Sequence, residues 1–389
     1  MTDGKPEVLF EITKENLETG MRGYPIGYCS TSTVDPEKGL FYCSRSLQEL
    51  VEWEPEKVIY LLYYGKEPSQ QELQSFISDL RTRAPCSPEL GKRIRMLPQK
   101  GHPMKLFSAA LLVCGMLEGK GDYREDALNL IAKVPEIAAH VINYHAGWGE
   151  THPSKPQLGY IENFVQMLRL PQAPGAKLTK ALKLFNILHY DHGGGNLSTF
   201  VGKAVASSLE DLYGSMAAAM CALAGPRHGK ANEDSLEFLQ KVIAALGKKP
   251  AAEEVEAFVR KTLAQNELVF GFGHAVLRVE DPRAAVLYAT AESWYPEDPL
   301  IRTAGLLRKE APKVLGENPK IADPYANVDA ISGPLLWAAG FPYPHYFTVL
   351  FGMARTVGIS VQIVYERCEA RGGKGTPIIR PKYLFKKRE

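Results

Sequence analysis

Cysteine pairing is missing from this sequence. Its six cysteines, Cys29, Cys43, Cys86, Cys114, Cys221 and Cys368, are scattered, and no two stand at C-x-x-C spacing. That excludes zinc-ribbon and thioredoxin-like motifs and points to reduced thiols. An excess of either charge is missing too. Lys plus Arg number 46 and Asp plus Glu 44, a formal net charge of +2, so neither a nucleic-acid nor a membrane partner is expected. The opening MTDGKPEVLFEI has no basic region followed by an apolar run and no Arg-rich amphipathic pattern, so a cytoplasmic location is expected. Long hydrophobic runs are nearly absent. The exception, 346-YFTVLFGMARTVGISVQIVY, carries Arg355 near its middle, which would cost roughly 2.5–3.5 kcal/mol in a bilayer. It reads as a helix buried in protein with a functional arginine. Internal repeats and low-complexity tracts are also absent.

What is present is helix. The 45% hydrophobic and 23% charged fractions over 389 residues suit a globular protein with one large and one smaller domain. Ser46-Leu-Gln-Glu49 and Ser69-Gln-Gln-Glu72 read as capping boxes, the first opening a run that ends at Gly65. Ser87-Pro88 reads as an N-cap with proline in the first turn. Ala181, Leu184, Phe185 and Leu188 fall at i, i+3, i+4, i+7 and predict an amphipathic helix ending at Gly193–Gly195. Ser198 is expected to cap the next one. The small residues of 215-SMAAAMCALAG suit a close helix crossing or an ordinary core helix. Further helices are predicted at 233–246, 252–266, 283–294 and 300–315. Strand-like runs are few: 7–12, 40–43 and 268–272. The fold class is mainly α.

Three histidines stand beside glycine, in 191-DHGGGN, 224-AGPRHGKAN and 271-GFGHAVLR, where the lack of a side chain lets backbone or ligand approach. An acidic candidate, Asp329, lies in 327-NVDAISG, and arginines occur in 278-RVEDPR, 353-MARTVG and 378-IIRP. His189 and His192 with Asp191 raise the possibility of a metal site, but HExxH is absent and no third ligand stands out. HGGGN lacks the P-loop pattern, and GFGHAV lacks the third glycine of a dinucleotide fingerprint. The residue types lean instead toward arginines holding a small dicarboxylate, histidines polarising carbonyls and a carboxylate base. Spacing alone does not decide among these. His102 and His345 are given no role, and neither are His140, His145 and His152, which look loop-like.

LHYDHGGGN, LAGPRHGKAN, GFGHAVLRVEDPR, NVDAISG and FTVLFGMARTVG occur in the order and spacing of the citrate synthase family. The chain resembles that family from about residue 20 to residue 379. The resemblance implies a mainly helical two-domain fold. Residues 1–228 and 335–389 would form the large domain and 229–334 the small one. It also implies a homodimer with shared active sites, of the short type without an extra N-terminal domain and without NADH inhibition. The implied reaction condenses acetyl-CoA with oxaloacetate to citrate and CoA, the entry step of the tricarboxylic acid cycle. No metal or cofactor is implied, since acetyl-CoA is a substrate.

By motif, His228 matches the histidine that hydrogen-bonds the acetyl-CoA carbonyl, Asp329 the base, and His274 the histidine that polarises the oxaloacetate ketone. His192 matches a second histidine at oxaloacetate, with Asn196 nearby. Arg283, Arg355 and Arg380 match the carboxylate clamp, Arg380 reaching into the neighbouring subunit's site. Arg278 and Arg22 match CoA contacts. The chain departs from many relatives at 42-YCS, at Ile331 and at Arg227. None of these positions is assigned chemistry. A 2-methylcitrate synthase using propionyl-CoA is the near alternative, and a non-catalytic binder on the same scaffold the remote one.

Overall fold

A computed structural model describes residues 7–388. Its helices are α1 Leu47–Leu50, α2 Pro55–Tyr64, α3 Gln70–Arg83, α4 Pro88–Ile94, α5 Pro103–Glu118, α6 Tyr123–Ala146, α7 Tyr160–Met167 and α8 Leu178–His189. They continue with α9 Leu197–Ala206, α10 Leu212–Leu223, α11 Ala231–Leu246, α12 Ala252–Ala264, α13 Pro282–Trp294, α14 Pro299–Leu315, α15 Asp329–Ala338 and α16 Phe347–Val364. A small antiparallel sheet, β1 Ser32–Asp35, β2 Gly39–Tyr42 and β3 Arg45–Ser46, lies near the N-terminus in that spatial order.

The axis of the molecule is α16. Every one of its residues except Phe351 is buried, and α2, α5, α6, α8, α9, α10 and α11 all pack on it. The membrane-length apolar run is therefore a core helix. Helices α9, α10 and α5 meet closely because the crossing residues are small. A Cβ on Gly202 of α9 would lie 3.2 Å from the Ala219 Cβ of α10. Helices α11–α15 pack mainly on one another.

Local signals held where the chemistry was local. Ser69 and Glu72 form the full capping box of α3, and Ser87 caps α4 with Pro88 in its first turn. Four expectations need correction. The run from Ser46 to Gly65 is two helices, because Pro55 starts a new one, capped at its end by left-handed Gly65. Ser46 Oγ donates to Glu49 instead of accepting a backbone N–H, so its capping box is incomplete. Residues 7–12 have no partner strand and stay irregular and exposed, and 268–272 make only the Phe272–Ala326 bridge. His140 and His145 are not in a loop but within the 24-residue helix α6.

Candidate active site

Helix α8 ends at His189, and the triple glycine carries the chain to α9. Behind this turn α16 comes very close. The Gly358 N–H donates to the Tyr190 carbonyl at 3.0 Å, and a Cβ at 358 would sit only 2.4 Å from that oxygen. Glycine is required there by contact. Ser198 lies inside α9 and does not cap it; Asn196 occupies the cap position, with its Oδ1 2.9 Å from the Ser198 Oγ. The turn leaves His192 facing His274, ring centroids 5.2 Å apart.

His274 and Asp329 are brought together by a clip between two loops. Gly273 N–H donates to Tyr325 O and Asn327 N–H to Gly271 O, each at 2.9 Å. The Asn327 side chain donates to Gly273 O at 2.9 Å and accepts the Asp329 N–H at 3.0 Å. Gly271 has φ +84 and would place a Cβ 2.8 Å from the Ala330 Cα, so no other residue fits. Asp329 is the first residue of α15, not its cap. Its carboxylate sits at a helix N-terminus, which favours negative charge, and accepts no hydrogen bond from the described residues.

Hydrogen bonding sets the tautomers. His274 Nδ1 accepts the N–H groups of Val276 (3.1 Å) and Leu277 (2.9 Å), so the neutral ring carries its proton on Nε2. His228, in the turn after α10, meets Ser198 Oγ with Nε2 at 3.0 Å. The Ser198 backbone N–H, which only donates, reaches the same nitrogen at 3.4 Å. Nε2 is then the acceptor and Nδ1 carries the proton. Both rings thus offer one N–H as a neutral hydrogen-bond donor.

The arginines differ in their state. Arg283 is 5% exposed and forked onto Asp281, with Nη2 2.7 Å from Oδ2. Arg355 is 1% exposed, donates Nε to the His189 carbonyl at 2.9 Å and lies over the Phe351 ring. Its Nη1 is buried without a partner. Arg278 is exposed at the rim, bonded to the Val276 and Leu277 carbonyls. Arg22 and Arg380 are exposed outside the cleft, the latter in the extended tail. The structure thus brings together His192, Asn196, His228, His274, Arg283, Asp329 and Arg355, and leaves Arg22 and Arg380 apart.

The charges act on one another. Burial lowers His228 to about 4, helped by Arg355, and lowers His274 to about 4, helped by Arg283. Burial with Arg283 and Arg355 also pushes His192 well below the usual histidine range. All three rings are neutral at pH 7. Burial raises Asp329 to about 7 against the pull of Arg283 and Arg355, with Asp281 adding to the rise. Arg355 itself falls to about 10, chiefly through burial. A carboxyl poised near neutrality among neutral donors and fixed guanidiniums is suited to proton abstraction next to a carbonyl.

Among the described residues, His102, Glu233 and His345 place potential ligand atoms within 4.8 Å of one another, a donor set that zinc accepts. The tautomer argues otherwise. His102 Nδ1 accepts the Met104 N–H at 3.2 Å as the cap of α5, so its proton sits on Nε2, which faces Glu233 at 3.5 Å. A protonated nitrogen donates and does not ligate. The cluster reads as a polar tie from α11 to α5 and to the turn before α16.

Asp281, Ser198 and Gln362 are site residues that sequence reasoning did not assign. Asp281 was readable, since Asp-Pro before Arg283 is an N-cap followed by a first-turn proline. Gln362 had no local signal, because it acts across the fold.

A family described as "Citrate synthase, C-terminal domain" matches residues 20–382. The chain belongs to the citrate synthase family. Citrate synthases are acyltransferases that need no metal or cofactor. The mitochondrial citrate synthase of Citrus maxima is 35% identical over 96% of this chain and 83% of its own length. Citrate synthase 4 of Arabidopsis thaliana is 34% identical over 92% and 80%. Among solved structures, citrate synthase from Thermotoga maritima superposes with a TM-score of 0.80 at 28% identity, covering 95% of both chains. A ternary complex of Thermoplasma acidophilum citrate synthase with carboxymethyl coenzyme A and oxaloacetate gives a TM-score of 0.83 at 25% identity, covering 95% of this chain and 96% of that one.

Proposed function

We propose that the protein condenses acetyl-CoA with oxaloacetate and releases citrate and CoA. The carrying observation is the buried Arg355 guanidinium with an unpartnered Nη1, in the same cleft as a carboxyl near pKa 7. A buried cation with no anionic partner and an unsatisfied N–H is costly and is explained by an anionic substrate. Asp329, ionised, takes a methyl proton from the thioester while His228 Nδ1–H donates to its carbonyl oxygen, so charge on the enolate is met as it forms. His274 Nε2–H polarises the oxaloacetate ketone. The enolate carbon attacks that ketone, and water then cleaves the thioester. Arg283 and Arg355, with Arg380 of the neighbouring subunit, hold the carboxylates, His192 and Asn196 line the oxaloacetate side, and Arg278 at the rim meets CoA.

We place the small domain at residues 229–334. It supplies His274, Arg283 and Asp329, and the remainder supplies His192 and Arg355. Substrate binding between them would close the cleft and exclude water before enolisation. We also propose a homodimer. Leu112, Met116 and Leu117 of α5 are exposed, as are Tyr383, Leu384 and Phe385 of the tail that carries Arg380. Sedimentation should give twice the 43.0 kDa chain mass; a fully active monomer would refute the shared site.

Thiol release on mixing pure protein with oxaloacetate and acetyl-CoA tests the activity itself. No release would leave a binder on this scaffold. One methylene is worth only about 1–3 kcal/mol of discrimination, so propionyl-CoA must be run beside acetyl-CoA. A higher kcat/KM for propionyl-CoA would make the protein a 2-methylcitrate synthase.

A further inference from the structure

Asp191 is fully buried, yet no cationic nitrogen of the described residues lies within 4.0 Å of its carboxylate to form a salt bridge. An isolated buried carboxylate is expensive unless hydrogen bonds replace its hydration. Here four donors do so. Oδ2 accepts the hydroxyls of Thr31 and Ser32, the latter at 2.8 Å. Oδ1 accepts the His192 N–H at 2.9 Å and the Gln362 amide at 2.8 Å.

Two of these donors are themselves held. Ser32 Oγ accepts the Gly193 N–H at 2.7 Å. Gln362 Oε1 receives buried Lys203 of α9 at 3.5 Å, and Lys203 pairs with Glu366 at 2.9 Å. Tyr42 Oη accepts the Asp191 N–H at 3.1 Å and donates to the Ile187 carbonyl at 3.0 Å. A Cβ on Gly358 would lie 2.6 Å from the Asp191 Cγ. The sheet, α9 and α16, distant in sequence, therefore converge on the residue before His192 and grip the peptide groups on both sides of that histidine.

We infer that Asp191 is a positioning residue: through Thr31, Ser32 and Gln362 it locks the backbone at 192–193 and so aims His192 at oxaloacetate. The inference rests on the proposed placing of His192 on the oxaloacetate side of the cleft. It assigns the network one substrate and not the other, since nothing in it touches the proposed CoA contacts.

The test is oxaloacetate binding by calorimetry, with KM for both substrates, on Gln362→Met, Asp191→Ser and Asp191→Asn. Met removes the donor at nearly constant volume, and Ser removes the carboxylate. Asn keeps one oxygen for His192 N–H and Gln362, while the hydroxyls of Thr31 and Ser32 rotate to accept from its amide. Oxaloacetate affinity should fall roughly tenfold to a hundredfold in Gln362→Met and Asp191→Ser, with KM for acetyl-CoA within about twofold of wild type. Asp191→Asn should restore most of the loss. An equal rise in both KM values, or unchanged oxaloacetate binding in folded Gln362→Met, overturns the inference. If Asp191→Ser does not fold, Gln362→Met decides alone. Failure of the functional reading shows separately: wild-type protein would then bind oxaloacetate without releasing thiol.

Discussion

Asp329→Asn is expected to abolish turnover and, above pH 7, to stabilise the protein. The first effect follows from the proposed role of Asp329 as the base that takes the methyl proton. General-base removal costs about 10²–10⁴ in rate, and the neutral His228 and His274 do not replace it. The second effect follows from linkage. Asp329 has a folded value of about 7 against an ordinary 3.8. A carboxyl raised on folding contributes stability that is complete below pH 3.8 and is lost as pH rises toward 7. Above pH 7 the ionised group has forfeited at most about 4 kcal/mol, less what water in the cleft recovers.

The asparagine variant does not ionise. Its Tm advantage should therefore be absent at pH 4, grow with pH and level off above pH 7. Measuring Tm at pH 4, 6 and 8.5 checks this; a constant difference across that range would deny Asp329 its raised value. In the wild type, kcat/KM should fall on the acid side with an apparent pKa near 7. His228 and His274, both at about 4, are neutral throughout that limb and do not produce it.

Arg355→Met should weaken oxaloacetate binding by about 10²–10³-fold, the equivalent of roughly 3–4 kcal/mol for a charge-assisted pair in a dry site. The ligand-free variant should be no less stable than the wild type. The reason is the state of the guanidinium before substrate arrives. It has a carbonyl on Nε and an aromatic face beneath it, but no hydrogen-bond partner on Nη1. Replacing a poorly compensated buried charge by an apolar side chain of similar length is often neutral or stabilising. In a thermal-shift titration, oxaloacetate should raise the Tm of the wild type and leave that of the variant flat. Arg355→Lys should behave like Met in binding, because an ammonium lacks the planar fork. A lowered Tm with unchanged oxaloacetate affinity would make Arg355 a structural residue.

Helices α3, α4 and α8 were legible because their signals lie within a few residues: a serine cap, a first-turn proline, an apolar stripe. The chemical types were legible as well, since the glycines beside His192, His228 and His274 and the arginine inside α16 are local anomalies. Residues 7–12 misled because a strand exists only with a partner, and alternation cannot supply one. Asp281 was half visible. Thr31, Ser32 and Gln362 were invisible, because their role is to meet Asp191 from 160, 159 and 171 positions away.

Residue order along the chain thus decided where helices start, which side chains are reactive and where backbone can come close. It could not decide their state. Asp329 stands near neutrality because burial raises its pKa. His274 is a donor through Nε2 because two backbone N–H groups occupy Nδ1. Arg355 keeps an unsatisfied Nη1 because packing removed water from that nitrogen without supplying a partner for it. Protonation, tautomer and unsatisfied valence depend on desolvation and on neighbours brought from elsewhere in the chain, and only the packed fold brings them.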